Sequence, residues 1–128
     1  MEQRTHKKIN TTFWGKPLEI SEGFAEVKLK TSEDMAVDEF GLIHGGTIFG
    51  LADYASMLAV NHPNVVLAGA NVKFLKPVKV GDLLFARAHV VESKGRKKVV
   101  EVVVERKNES IFTGEFVCVV LEKHVLDS

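Results

Sequence analysis

The stretch His44-Gly45-Gly46-Thr47-Ile48-Phe49-Gly50-Leu51-Ala52-Asp53-Tyr54-Ala55-Ser56-Met57-Leu58-Ala59-Val60-Asn61 decides how the rest of the chain must be arranged. Its glycine pair lets the backbone turn sharply or approach a ligand, and a helix is expected to follow, over Thr47 to Asn61. Apolar residues stand at Ile48, Phe49, Leu51, Ala52, Ala55, Met57, Leu58, Ala59 and Val60, on nearly every side of that helix. A helix without a polar face does not lie on a surface, so the rest of the protein is predicted to enclose it.

The enclosing material reads as β-sheet. Ala25, Val27 and Leu29 alternate with Glu26, Lys28 and Lys30, so Leu18 to Lys30 is predicted as one half-buried strand, bent at Gly23. Met35 to Gly46, with Asp38 and Gly41, reads as a loop. After the helix, strands are expected at Val65 to Leu75, Asp82 to Glu92, Lys97 to Lys107 and Ser110 to Glu122. The turns between them carry Pro77, Gly81, Gly95 and Asn108, residue types that favour antiparallel hairpins. The order is an α+β layout, with one helix packed on an antiparallel sheet. The last strand is apolar on both sides, with Ile111, Val117 and Val119 on one and Phe112, Phe116 and Cys118 on the other. A lone helix covers one face only, so a second subunit is expected over part of the remainder.

Composition narrows the class. The chain has 128 residues, 45% of them hydrophobic, enough for one domain's core and little more. Residues 1–128 are therefore read as a single domain, with its core at about 15–121 and short polar tails. Seventeen Lys and Arg balance seventeen Asp and Glu, so no net field draws the molecule to nucleic acid or an anionic membrane, and an anionic ligand must be held locally. Cys118 is the only cysteine, which excludes an internal disulfide and a thiolate zinc site; no metal is expected, and a reducing, cytoplasmic setting fits. The apolar runs near residues 47–60 and 115–121 are too short or too interrupted to span a bilayer. Met1 to Asn10 is polar and basic, with no apolar signal core behind it.

Asp53 is the only charged side chain between Gly45 and Asn61, and burying an unpaired carboxylate is costly or raises its pKa. Two readings stand: a structural carboxylate bonded to backbone or to a partner subunit, or a general base or nucleophile. Helical spacing puts Asp53 on one stripe with Phe49, Ser56, Met57 and Val60, away from Ile48, Ala52, Ala55 and Ala59; one stripe can face the sheet and the other a cleft. His44 precedes the two glycines, either as a capping or loop residue or as part of a helix start whose free amides hold a developing oxyanion. An amide cluster at a helix N-terminus with a carboxylate two turns along is what acyl transfer from a thioester requires.

These residues also carry a resemblance. His44-Gly45-Gly46 through Ala52-Asp53 resembles the His-Gly-Gly…Ala-Asp signature of hotdog-fold acyl-CoA thioesterases of the phenylacetic-acid-degradation type. Asn71 to Asp82 is similar to that family's strand, turn and Gly-Asp entry into the next strand, so the likeness covers roughly residues 15–121. The resemblance implies a hotdog fold, with the sheet wrapped around the helix. It also implies a homodimer, which can pair again into a tetramer, with active sites at the subunit interface. The family's catalytic acid maps to Asp53, its carbonyl-polarising amide to Gly45-Gly46, and His44 orients the loop. Two positions depart from the pattern. Asp38 stands where many relatives carry asparagine, and a second carboxylate there repels an oxyanion unless protonated. An apolar residue near Leu67 or Ala68 replaces a hydroxyl on the opposing strand. The later strands also look like the effector-binding half of the bacterial repressor of fatty-acid and phospholipid synthesis, which senses malonyl-CoA without hydrolysing it. No helix-turn-helix is read ahead of Trp14, so no nucleic-acid partner is expected.

The ligand so implied is an acyl-CoA, as substrate or as effector, with no further cofactor. Lys76, Arg87, Lys94, Arg96, Lys97 and Lys98 are candidates for its phosphates, the last four reading equally as an ordinary charged hairpin. Phe49, Met57, Phe74 and Val60 are candidates for the acyl end, and would look the same as plain core residues. Two functions follow, thioester hydrolysis or acyl-CoA binding without turnover; a dehydratase hotdog is the remaining option, weakened because its catalytic histidine and acid are expected in a different loop-and-helix arrangement.

Overall fold

The computed structural model describes residues 1–127. A short helix α1 (Thr11–Trp14) leads into strands β1 (Lys16–Ser21) and β2 (Phe24–Lys30), and a 3-10 turn spans Glu33–Met35. Helix α2 (Gly45–Val60) follows, then β3 (Val65–Phe74), β4 (Leu83–Lys94), β5 (Lys97–Arg106) and β6 (Glu109–Val120). All six strands form one antiparallel sheet in the order β1-β2-β4-β5-β6-β3.

The sheet curls around α2. Ala25, Val27 and Leu29 of β2 lie opposite Ala88, Ala86 and Leu84 of β4, and all six are buried. Alanines on the facing positions leave room for the helix, while Val100, Val102, Val104, Phe112, Phe116 and Cys118 complete the same face from β5 and β6. Register shifts, as between Val90 and Glu92 in β4 and between Leu67 and Gly69 in β3, give the bend that an enclosing sheet needs. A shift beside Val104 leaves Ile111 as an extra residue next to Phe112, so both are buried although they are neighbours in β6.

The stretch expected as one bent strand is a hairpin. Ser21 pairs with Phe24, and Gly23 takes φ +71° in a two-residue turn, so the glycine reverses the chain rather than bending it. The β5-β6 turn has Lys107 and Asn108 both in the left-handed region, the geometry a tight hairpin demands, and Arg106 is tied across it to Glu109 and on to Asp82. Helix α2 starts two residues before the expected Thr47, at Gly45, and ends at Asn61, which adopts φ 52° as a C-cap.

The N-terminal segment is packed, contrary to its reading as a polar tail. Asn10 caps α1 by accepting from the amides of Thr12 and Phe13, and Gly15 closes it. Ahead of that helix the chain runs along α2. The amide of Arg4 donates to Asn61 Oδ1 at 2.7 Å, Asn61 Nδ2 donates to the Glu2 carbonyl at 2.8 Å, and Gln3 Nε2 donates to the Tyr54 hydroxyl at 3.3 Å.

Candidate active site

The first two amides of α2 belong to Gly45 and Gly46, which precede the helical hydrogen-bond ladder, and neither has a backbone acceptor among the described residues. Both positions are crowded from outside. A Cβ on Gly46 would meet His44 Nε2 at 2.8 Å, so the imidazole lies against this glycine; a Cβ on Gly45 would come 3.4 Å from the Phe74 ring. His44 itself is exposed and makes no side-chain cap.

Two turns along, Asp53 is half-buried, and its Oδ1 is fully enclosed without a hydrogen-bond partner among the described residues. Loss of water pushes its pKa from 3.8 up to about 6. The side chain of Ser56 does not relieve it, because that hydroxyl donates to the Asp53 carbonyl at 2.7 Å. Cys118 of β6 lies close by: burial pushes its thiol up to about 11, Ser56 pulls the other way, and the Asp53 charge adds to the rise. A carboxyl that titrates at about 6 and has a free lone pair is ionised at neutral pH, and can take a proton from water and return it.

The helix stripe expected to face a cleft does face β6 in part, with Phe49 5.5 Å from Phe116 between ring centres. Met57 is buried in the core. What borders Asp53 elsewhere is the N-terminal segment. His6, Ile9 and Trp14 line a cavity of about 170 Å³ together with Gly50, Asp53 and Tyr54. His6 sits in the left-handed region at φ 55° with its Nδ1 2.8 Å from Thr5 Oγ1, and burial lowers its pKa. None of these residues stood out in the sequence, although Gly50 in the middle of a helix is a signal of close approach by another group.

Two further cavities flank the helix start. One, of about 310 Å³, joins His44, Gly46 and Thr47 to Met35, Val37 and Trp14. The other, of about 320 Å³, joins Gly45 and Ile48 to Phe74, Lys76 and Pro77. The structure thus brings Phe74 and Lys76 beside Gly45, while Arg87, Lys94 and Arg96 line neither of them nor the Asp53 cavity. Lys76 is paired with Glu109 at 2.7 Å, Arg87 with Glu26 and Glu105, and Arg96 with Glu122. Asp38 is exposed, and its Oδ1 accepts from the amides of Phe40 and Leu42, holding the turn rather than lining any of these three cavities. No group of three metal-binding side chains occurs among the described residues, and no helix is long and apolar enough to cross a membrane.

This enclosed helix, with its open amides and lone carboxylate, is the architecture of the hotdog proteins. A family model, the thioesterase superfamily, matches residues 40–112, and the chain belongs to that superfamily. An uncharacterized protein of Pyrococcus horikoshii has the same structure, with TM-score 0.98 and 60% identity, covering 99% of this chain and 98% of that one. Among curated proteins, the chain is 60% identical over 121 residues to part of a methylthioribose-1-phosphate isomerase of Aquifex aeolicus, covering 94% of this chain and 26% of that protein. It is 34% identical over 95 residues to the transcription factor FapR of Caldanaerobacter subterraneus, covering 74% of this chain and 48% of that one. The chain thus spans about a quarter to a half of the length of these curated relatives. The fold is also that of a Streptococcus mutans protein crystallised with acetyl CoA, at TM-score 0.81 and 24% identity, covering 92% and 97%.

Proposed function

We propose that the protein binds an acyl-CoA and hydrolyses its thioester. The observation that carries this reading is the enclosed Asp53 Oδ1 without a partner, two turns from the free amides of Gly45 and Gly46 on the same helix. A retained buried carboxylate costs stability, and a reaction that needs a base with a pKa near neutrality accounts for it. In the proposed step, ionised Asp53 takes a proton from water as the oxygen attacks the thioester carbon. The carbonyl oxygen becomes an oxyanion held by the glycine amides. The C–S bond then breaks, and the departing thiolate receives the proton from Asp53, leaving a carboxylic acid and free CoA. His44 orients the glycine pair; Phe74 and Lys76, beside Gly45, are the ligand contacts this geometry favours.

Strand β3 lies at the end of the sheet, pairing only with β6, so its other edge is open to the same strand of a second copy. The proposed assembly is a homodimer built there.

Release of free thiol across short, aromatic and long acyl-CoAs, with calorimetric binding alongside, tests the reading. Turnover lost in Asp53→Asn while binding persists supports it. Binding without release, unchanged by that substitution, leaves the second reading, a non-catalytic acyl-CoA sensor, which the likeness to FapR favours. No affinity for any acyl-CoA overturns both.

A further inference from the structure

Gly46, Gly50 and Asp53 follow one another at helical spacings of four and three residues, so they share one stripe of α2. A thioester polarised at the glycine amides and attacked from Asp53 must lie beside that stripe and reach both of its ends. The indole of Trp14 already rests on its middle. A Cβ on Gly50 would overlap Trp14 Cζ3 and sit 2.5 Å from Cε3, so the ring reaches the helix backbone only because position 50 is glycine. Trp14 lines both the Gly46 cavity and the Asp53 cavity.

The ring is held from both directions. Immediately after it, Gly15 takes φ +120°, and the place of its missing Cβ is filled by Val27 Cγ1 at 2.6 Å and Leu51 Cδ1 at 2.9 Å, which seats this backbone against β2 and α2. Immediately before it, Phe13 meets the indole edge-on with ring centres 4.9 Å apart, and α1 is capped by Asn10. Further upstream, Glu2 and Arg4 are bonded to Asn61, and Gln3 to Tyr54. The segment is therefore a built wall and not a loose end.

We infer that Trp14, seated on Gly50, is the residue that limits the acyl group this site accepts, and that the substrates are thioesters of short acyl chains. The inference rests on the hydrolytic reading of Asp53. The cavity beside Asp53, about 170 Å³, is about half the volume of either cavity at the helix start, and Trp14 and Ile9 bound it. A short acyl group is expected to fit there, and a decanoyl chain to need the indole displaced.

The test compares kcat/KM for acetyl-, butyryl-, hexanoyl- and decanoyl-CoA in the wild type, Trp14→Ala and Trp14→Phe. Removing the indole enlarges both cavities that it lines, and the decanoyl-to-butyryl ratio is expected to rise at least tenfold, the least a hydrophobic pocket exerts for a single methylene. Trp14→Phe, which keeps a ring on Gly50 and guards against a folding defect in the alanine variant, is expected to fall between. Trp14 is also the only tryptophan, so its emission reports this wall alone. In Asp53→Asn, which holds substrate without turnover, butyryl-CoA is expected to shift that emission and free CoA to leave it unchanged.

Wild-type turnover with the same chain-length profile in both Trp14 variants overturns the inference and leaves the hydrolytic reading standing. So does emission that ignores every acyl-CoA bound by calorimetry. An absence of turnover together with an absence of binding overturns the hydrolytic reading, and this inference with it.

Discussion

Replacing Asp53 by asparagine is expected to stabilise the protein at neutral pH, and by an amount that depends on pH. Burial holds the carboxyl at about 6 instead of its ordinary 3.8. A difference of about 2, at about 1.4 kcal/mol for each tenfold change in proton affinity, makes the ionised group cost the fold up to about 3 kcal/mol. Below pH 3.8 the acid is protonated in both folded and unfolded chains, and the cost is absent. Between there and about 6 the unfolded chain ionises first, so stability falls as pH rises; above about 6 the loss is complete. Asparagine keeps the shape, never ionises and has no such slope. Urea unfolding of both proteins from pH 4 to pH 8 isolates the effect, because every other titrating group cancels in the difference. The stability gap should grow by about 1 to 3 kcal/mol across that range, roughly 4 to 12 °C in Tm for a chain of this size. A gap that stays flat, within about 0.5 kcal/mol, would mean that Asp53 finds a partner in solution, and the base assigned to it would have no physical footing.

Gly50→Ala should raise stability by about 1 kcal/mol on helix propensity alone, yet here the methyl meets the Trp14 indole. Overpacking is expected to win, with a net loss of about 1 to 2 kcal/mol and a red shift of tryptophan emission. Asn61→Gly keeps the left-handed cap at φ 52° but loses the bonds to Glu2 and Arg4, for about 1 to 2 kcal/mol by denaturation. Asn61→Ala should cost about 1 kcal/mol more, because alanine resists that backbone. Gly46→Ala presses on the far edge of the exposed His44 ring, so folding should change by less than about 0.5 kcal/mol while thiol release falls at least tenfold.

The enclosed helix and the antiparallel order were legible because they rest on local signals: the all-round apolar run from Ile48 to Val60, and period-two alternation such as Ala25, Val27 and Leu29. The hairpin at Gly23 was missed because a two-residue turn and a bend leave the same mark when both flanks alternate in register. Asp53 and the glycine pair could be found as odd residues in an apolar setting. Their cover could not. Residues 1–14 touch α2 through backbone groups, as Arg4 and Glu2 do on Asn61, and through an indole that needs a glycine fifty positions into the chain. Neither type of contact has a period, so only Gly50 itself pointed to one. Likewise Asp38 reads as a site carboxylate by its offset from His44, whereas its two amide bonds fix it in a surface turn.

The wall and the base are physically one device. Desolvation is the cause of the raised Asp53 pKa, and Trp14, His6 and Ile9 line the cavity beside that carboxyl. Opening the wall therefore acts on proton affinity as well as on space. In Trp14→Ala, water is expected to reach Oδ1 through the space the indole leaves, and the carboxyl should relax from about 6 toward 3.8. For a general base, kcat/KM rises with pH until the group is ionised, so the acid limb of the profile should move to lower pH in this variant, while Trp14→Phe keeps it near the wild-type position. A weaker base also takes its proton from water less readily, so the plateau above pH 7 should drop for butyryl-CoA even as decanoyl-CoA gains. A variant that accepts the longer chain with an unmoved acid limb would show that the wall shapes the chamber without drying it, and that Asp53 owes its high pKa to the β6 side, where Cys118 lies.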